Sequence, residues 1–196
     1  MIAREFEGSE FELEHLATPR LVLRAPAMAD ATALVSLANN RNIADNLMSM
    51  PHPYRTKDAE NWVKTAHAMP KATGARFGIY LKEPSGTFIG ATGWGPVPGL
   101  DLPQIGYWIG EPYWNNGYAT EAVKTIIDHA FKSSEIDEVG CGCRVTNAAS
   151  RRVIEKCGFQ YDGLGMVNSL SRQGAMPILK FRLDRGAWES LRAWGQ

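Results

Sequence analysis

Charge of one sign is what this sequence most plainly lacks. Its 21 basic and 21 acidic residues cancel, so it has no positive excess of the kind that displaces counterions from phosphates. A nucleic-acid partner is therefore not expected. Long apolar runs are missing too, since nothing approaches the roughly 20 residues that cross a bilayer. Residues 1–14 are acidic and have no apolar segment, unlike a secretory signal. No membrane partner is expected, and the cytoplasm is the expected location. Cysteine is scarce: three residues, an odd number, make no disulfide framework. Cys141 and Cys143 stand two apart in a strand-like stretch, on one face, with no histidine close enough for a zinc pattern. Buried reduced thiols and no metal are the expectation. Also missing are a Gly-Lys-Ser/Thr phosphate loop, a His-Glu-x-x-His pair and a nucleophile elbow. Gly93-Trp94-Gly95 begins like a dinucleotide fingerprint, but Pro98 stands near its end and no helix follows.

What is present suits one globular domain. A chain of 196 residues, 44% of them hydrophobic, can bury a core of its own. Residues 1–16 read as an N-terminal extension and 17–196 as the domain. Alternating or apolar runs predict strands at 20–24, 75–82, 87–94, 102–109, 138–145, 159–163 and 178–184. Helical spacing predicts helices at 28–39, 57–69 (with Thr56 as its cap), from near Gly117 onward, 148–157 and 185–194. The third of these is the strongest: Ala119, Ala122, Val123, Ile126, Ile127, Ala130 and Phe131 recur at three-and-four spacing. Strands before, between and after helices predict a mixed sheet with helices on its faces.

The stretch Trp114-Asn115-Asn116-Gly117-Tyr118-Ala119-Thr120 joins a strand to that helix. The first amides of a helix have no internal partner, and its dipole favours an anion there. Gly117 lets the backbone approach a phosphate closely, while Asn115 and Asn116 tolerate left-handed angles. On the residues alone this is an anion site at a helix N-terminus. A nucleotide other than a coenzyme A ester stays open at this point.

Four segments together narrow the reading: Ile105-Gly106-Tyr107-Trp108-Ile109; Tyr113 through Ala122; Asn147-Ala148-Ala149-Ser150; and Glu155-Lys156-Cys157-Gly158-Phe159. In this order and separation they resemble the GNAT superfamily of N-acetyltransferases, nearest the branch of the ribosomal-protein N-terminal acetyltransferases. The likeness covers about residues 18 to 185. It implies an α+β fold: a mixed, mostly antiparallel sheet of six or seven strands, flanked by helices and splayed between the fourth and fifth. It also implies acetyl-CoA as acyl donor, bound through Trp114, Asn115, Asn116, Gly117, Tyr118, Ala119 and Thr120 at the diphosphate. The pantetheine arm would lie along Tyr107, Trp108 and Ile109, with contacts from Asn147 and Ser150. The Trp108 amide would face the thioester oxygen, and Ser150 would protonate the departing thiolate.

Departures from the family pattern matter as well. Trp114 replaces a polar first loop residue, and Ile154 stands where some members carry a tyrosine acid. Gln104 occupies the position of a glutamate base. Glutamine can hold a water but cannot act as a base, which leaves Asp101, Glu111 or a Gln104-held water. Glu121, in the first helical turn, reads as structural, His52 as a surface histidine, and Trp62, Trp94 and Trp108 as core. The resemblance implies direct transfer to a primary amine, a protein N-terminus or a small molecule, by a monomer or homodimer. A non-catalytic acyl-CoA binding or sensing module is the alternative. Residues 29–54 and 95–103 are the expected walls of the acceptor pocket.

Overall fold

The computed structural model describes residues 15–84 and 86–194; the first fourteen residues of the expected extension lie outside that range. The chain runs β1 (His15–Ala17), β2 (Leu21–Arg24), α1 (Ala31–Ala38), α2 (Arg41–Ala44), α3 (Thr56–Ala68), β3 (Ala75–Leu81), β4 (Thr87–Gly95) and β5 (Gln104–Ile109). It continues through α4 (Tyr118–Ser133), β6 (Glu138–Arg144), α5 (Ala148–Lys156), β7 (Gln160–Ser169), β8 (Gly174–Asp184) and α6 (Arg185–Trp194). The strands form one eight-stranded sheet in the order β1-β2-β3-β4-β5-β6-β8-β7. Every neighbouring pair is antiparallel except β5 and β6, which are parallel.

The architecture is the expected one, with an added strand and a longer hairpin. β1 is too short to show periodicity, and it exists because His15, Leu16 and Ala17 pair with Arg24, Leu23 and Val22. β7 runs on to Ser169, past the glycines that read as its end, because β8 supplies a ladder partner from Tyr161↔Phe181 to Ser169↔Gly174. Thr56 is the first residue of α3 rather than its cap. The Arg55 amide instead donates to Asp58 Oδ2 at 2.8 Å, a carboxylate in the first turn where the helix dipole favours it.

Two apolar layers sandwich the sheet. On one face α4, α5 and α6 cover Leu21, Phe77, Ile89, Ile105 and Phe181. On the other, α1 and α3 cover Tyr80 and Phe88, with Trp108 packed at the margin. The apolar stripe of α4 is buried as its spacing requires, and Ile126 is fully enclosed, so Ile126→Ala should cost about 2–5 kcal/mol. The C-terminal carbonyls of α4 are satisfied from α6: Arg185 donates to Phe131 O at 2.9 Å and to Ser134 O at 2.9 Å. Among the described residues no helix is long and apolar enough to cross a membrane.

Candidate active site

The sheet opens between β5 and β6. These strands pair at Gln104↔Gly140, and the Gly140 amide donates to Pro103 O at 2.8 Å. No further pairing joins them among the described residues, so toward their C-terminal ends the strands diverge. At the closure the Gln104 amide packs over Gly140, where a Cβ would lie 2.3 Å from Gln104 Nε2 and would displace that side chain. The N-termini of α4 and α5, the helices that follow these strands, both lie at the open end.

The register decides which β5 groups face the opening. The Gly110 amide donates to Ile89 O at 2.8 Å, and a Cβ on Gly90 would lie 2.2 Å from Trp108 O. The Trp108 peptide edge therefore points at β4, and extended backbone alternates sides. This corrects the assignment of the Trp108 amide as oxyanion donor. The amides turned toward the opening are those of Tyr107 and Ile109. The Trp108 side chain is half-buried at the core's margin, edge-on to Phe88 with ring centroids 6.0 Å apart.

At α4 the backbone turns sharply into the helix. Asn115 has φ 62° and Gly117 φ 79°, both left-handed. Gly117 is the helix N-cap, and no side chain caps the helix, so its first amides face outward. Asn116 Nδ2 donates to Trp114 O at 2.9 Å, closing the turn on itself. The indole of Trp114 donates to Ile109 O at 2.6 Å and fastens the turn to the end of β5. That contact explains an aromatic residue in a position usually polar in the family. Outward amides, left-handed bends and a nearby guanidinium make a donor set suited to a diphosphate.

At α5 the cap is filled. Asn147 Oδ1 accepts from the Ser150 amide at 3.0 Å. Ser150 Oγ lies 2.8 Å from the Tyr107 hydroxyl. Burial, followed by the field of Cys141, pushes the Tyr107 phenol well above its ordinary range, against the Ser150 hydrogen bond. Ile154, in the tyrosine position, is fully buried.

The base candidates are placed unevenly. Gln104 sits at the closure and spends its amide on Leu102 O at 2.8 Å. Asp101 precedes that closure and is exposed. Glu111 accepts from the side-chain amides of Asn40 and Asn42 and so ties the start of α2 to the end of β5. All three cysteines are free and buried. Burial raises each thiol, Cys157 to about 12, which removes the thiolate a covalent acyl carrier would need. Among the described residues no cluster of three metal-ligating side chains occurs.

Two features escaped the sequence reading. The first is Arg20, which bridges the turn before α4 to the start of β2. It pairs with Glu121 at 2.7 Å, donates to Asn116 O at 2.8 Å and stacks 4.8 Å from the centre of the Tyr118 ring. Thr18 and the Arg20 amide also donate to Glu121 Oε1. Burial opposes ionisation of Glu121, yet these donors outweigh it and hold its carboxyl below the ordinary value. Glu121 is structural, as its position suggested. The second is a strap at the tip of the β7–β8 hairpin. Ser169 Oγ, the Leu170 amide and Ser171 Oγ donate to Leu47 O, Met48 O and Ala44 O at 3.1, 2.9 and 3.0 Å, and Arg172 pairs with Asp45. The strap joins the two halves of the sheet across the face opposite α4 and α5. Serine-rich turns carry no pattern naming a partner more than a hundred residues away.

Comparison with known proteins agrees with this geometry. Residues 20–160 match a family model described as an acetyltransferase (GNAT) domain. An uncharacterized N-acetyltransferase of Bacillus licheniformis, p20, is 26% identical over 155 residues, covering 78% of this chain and 85% of p20. Mycobacterium smegmatis RimJ, solved in complex with CoA-disulfide, superposes with a TM-score of 0.74 at 22% identity, covering 93% of this chain and 94% of RimJ. An acetyltransferase from Salmonella typhimurium that modifies the N-terminal serine of ribosomal protein L7/L12 superposes with a TM-score of 0.72 at 18% identity, covering 87% and 99% of the two chains.

Proposed function

The chain belongs to the GNAT acetyltransferase family and is an N-acetyltransferase using acetyl-CoA, and from that premise we propose direct transfer of the acetyl group to a primary α-amine within one ternary complex. The observation that carries this reading is the opening itself: a parallel strand pair that closes at Gln104↔Gly140 alone, with an uncapped helix at its mouth. The diphosphate is held by the outward amides at Gly117, Tyr118, Ala119 and Thr120, within the turn formed by Trp114, Asn115 and Asn116. The pantetheine arm lies along the Tyr107 and Ile109 edge, where Asn147 Nδ2 reaches it. The Tyr107 amide supports the developing oxyanion, and Ser150 supplies a proton to the departing sulfur. Buried, neutral thiols favour direct attack over an acetyl-cysteine intermediate. They also suit a reducing compartment, the cytoplasm.

The acceptor class follows from the base. Gln104 stands in the base position, Glu111 is engaged with two amides and Asp101 is exposed ahead of β5, where it acts at most through water, so deprotonation falls to water. At pH 7.5 an α-amine with a pKa near 8 is about one quarter free base, whereas a lysine near 10.4 is about one part in a thousand. An N-terminal amine therefore reacts where a lysine waits for a base. The enzyme of similar fold that acetylates a ribosomal N-terminus is consistent with this preference. The test is thiol release from acetyl-CoA with paired peptides, one with a free N-terminus and one N-blocked with a single lysine. Turnover of the first alone supports the reading. Turnover of the lysine peptide alone, a stable acetyl-cysteine in mass spectrometry, or tight acetyl-CoA binding with no release for any amine would overturn it.

A further inference from the structure

Resting on that reading, a second role for Tyr107 emerges from its side chain rather than its amide. Tyr107 comes from β5 and Ser150 from the first turn of α5, and their hydroxyls meet at 2.8 Å. The phenol also lies 3.3 Å from Ser150 O, the weaker of the two contacts. The Asn147 cap fixes the backbone beneath Ser150. Two elements, β5 and α5, thus converge on one hydroxyl at the open end of the sheet.

A serine in a helix has two competing habits: rotation among staggered wells and hydrogen bonding to a carbonyl of the preceding turn. Either withdraws its proton from chemistry. A serine hydroxyl carries one proton and accepts through its lone pairs, so a donor that fills a lone pair leaves the proton free to point elsewhere. We infer that Tyr107 is a positioning residue, whose hydroxyl donates to Ser150 Oγ and thereby aims the Ser150 proton at the coenzyme sulfur. As the C–S bond breaks, Ser150 gives its proton to that sulfur, and the proton released by the attacking amine returns to Ser150 Oγ through water. Tyr107 gives up none. Burial keeps its phenol protonated across the working range, so it remains a donor throughout. The chain lacks the tyrosine acid at Ile154, and a tyrosine from the neighbouring strand here serves a serine instead.

The test has two arms. In the first, the thiol of bound coenzyme A is titrated by thiolate absorbance, which needs no turnover. Its ordinary pKa, about 8.5 for a thiol, should be lowered in the complex, and both Tyr107→Phe and Ser150→Ala should move it back up. In the second, Tyr107→Phe should lower kcat about tenfold, the modest end of proton-transfer effects, with KM for acetyl-CoA unchanged. The Tyr107→Phe/Ser150→Ala double variant should be no slower than Ser150→Ala, because the tyrosine acts only through the serine. Ser150→Thr, which keeps a hydroxyl, should recover part of the Ser150→Ala loss. The inference fails if Tyr107→Phe leaves the thiol titration unmoved, or if its cost appears in KM, or if the two losses multiply. The N-terminal acetyltransferase reading survives any of these, since none of them is turnover of the lysine peptide alone, a stable acetyl-cysteine or binding without release.

Discussion

The N-termini of α4 and α5 flank the same opening, yet the protein treats them oppositely. At α5 the first turn is closed by its own residue, Asn147, whose side-chain Oδ1 accepts from the Ser150 amide. At α4 no side chain caps the helix, and its N-cap is a glycine in the left-handed region. Two helices of one fold, at one sheet edge, thus divide the labour. The satisfied terminus holds a side chain still, and the unsatisfied terminus keeps its amides for something that arrives. A glycine at the N-cap costs only a few tenths of a kcal/mol relative to a good cap, so leaving the α4 amides open is a small loss of stability.

That contrast breaks most visibly at Gly117. Gly117→Val forces a β-branched side chain to φ 79° and sets a Cβ 3.4 Å from Arg20 Nη2. Calorimetry should show acetyl-CoA affinity falling about a hundredfold or more, with the melting temperature changing by only a few degrees. A variant that binds normally would show that the turn is not the diphosphate site. Next in size is Arg20→Met, which removes the link from the turn to the β2 edge. KM for acetyl-CoA should rise about tenfold while kcat stays within twofold, read from steady-state thiol release. An effect on kcat alone would mean that Arg20 acts on the chemistry rather than on the turn.

Much of this was readable in advance, and the failures have common causes. The α4 stripe and the Gly117 turn are local: spacing and one special backbone angle define them, and both stand as the residues implied. Trp108 was misassigned because strand register is a pairing property. A single residue of shift exchanges the face of every amide, and only Gly90 and Ile89 opposite decide it. Arg20 was invisible for a related reason. It reads as an ordinary strand-edge charge until the fold brings Glu121 and Asn116 beside it from about a hundred residues away. The β7–β8 strap is the extreme case, three donors to backbone carbonyls and one ion pair, Arg172 with Asp45, all to partners more than a hundred residues away. The contact of the Gln104 amide with Leu102 O and Gly140 is likewise set by the fold and not by any local spacing.

The α5 side of the contrast is sharpened by Asn147→Ala. Losing the cap should cost about 1 kcal/mol of stability by denaturant unfolding, and freeing the first turn should lower kcat severalfold by loosening Ser150. If stability falls and kcat does not, the cap is structural only.

The smallest effect concerns pH at the α4 side. Glu121 carries a depressed pKa, so the ionised form is the one the fold favours, and the unfolded chain binds its proton more readily. The resulting stability is fully present above the unfolded glutamate value, about 4.3, and is lost as pH falls through the lower folded value. Glu121→Gln removes this titration while keeping the side chain's shape. The melting-temperature difference between wild type and Glu121→Gln should therefore be positive at pH 7, shrink below about pH 4 and vanish in stronger acid. Arg20 is half exposed, so solvent screens the pair and the difference corresponds to about 1 kcal/mol or less. Raising salt should shrink it further at neutral pH. A difference independent of pH would assign the clamp to the uncharged contact with Thr18. In that case Arg20 would serve the phosphate turn through Asn116 and the ring of Tyr118, without help from its carboxylate partner.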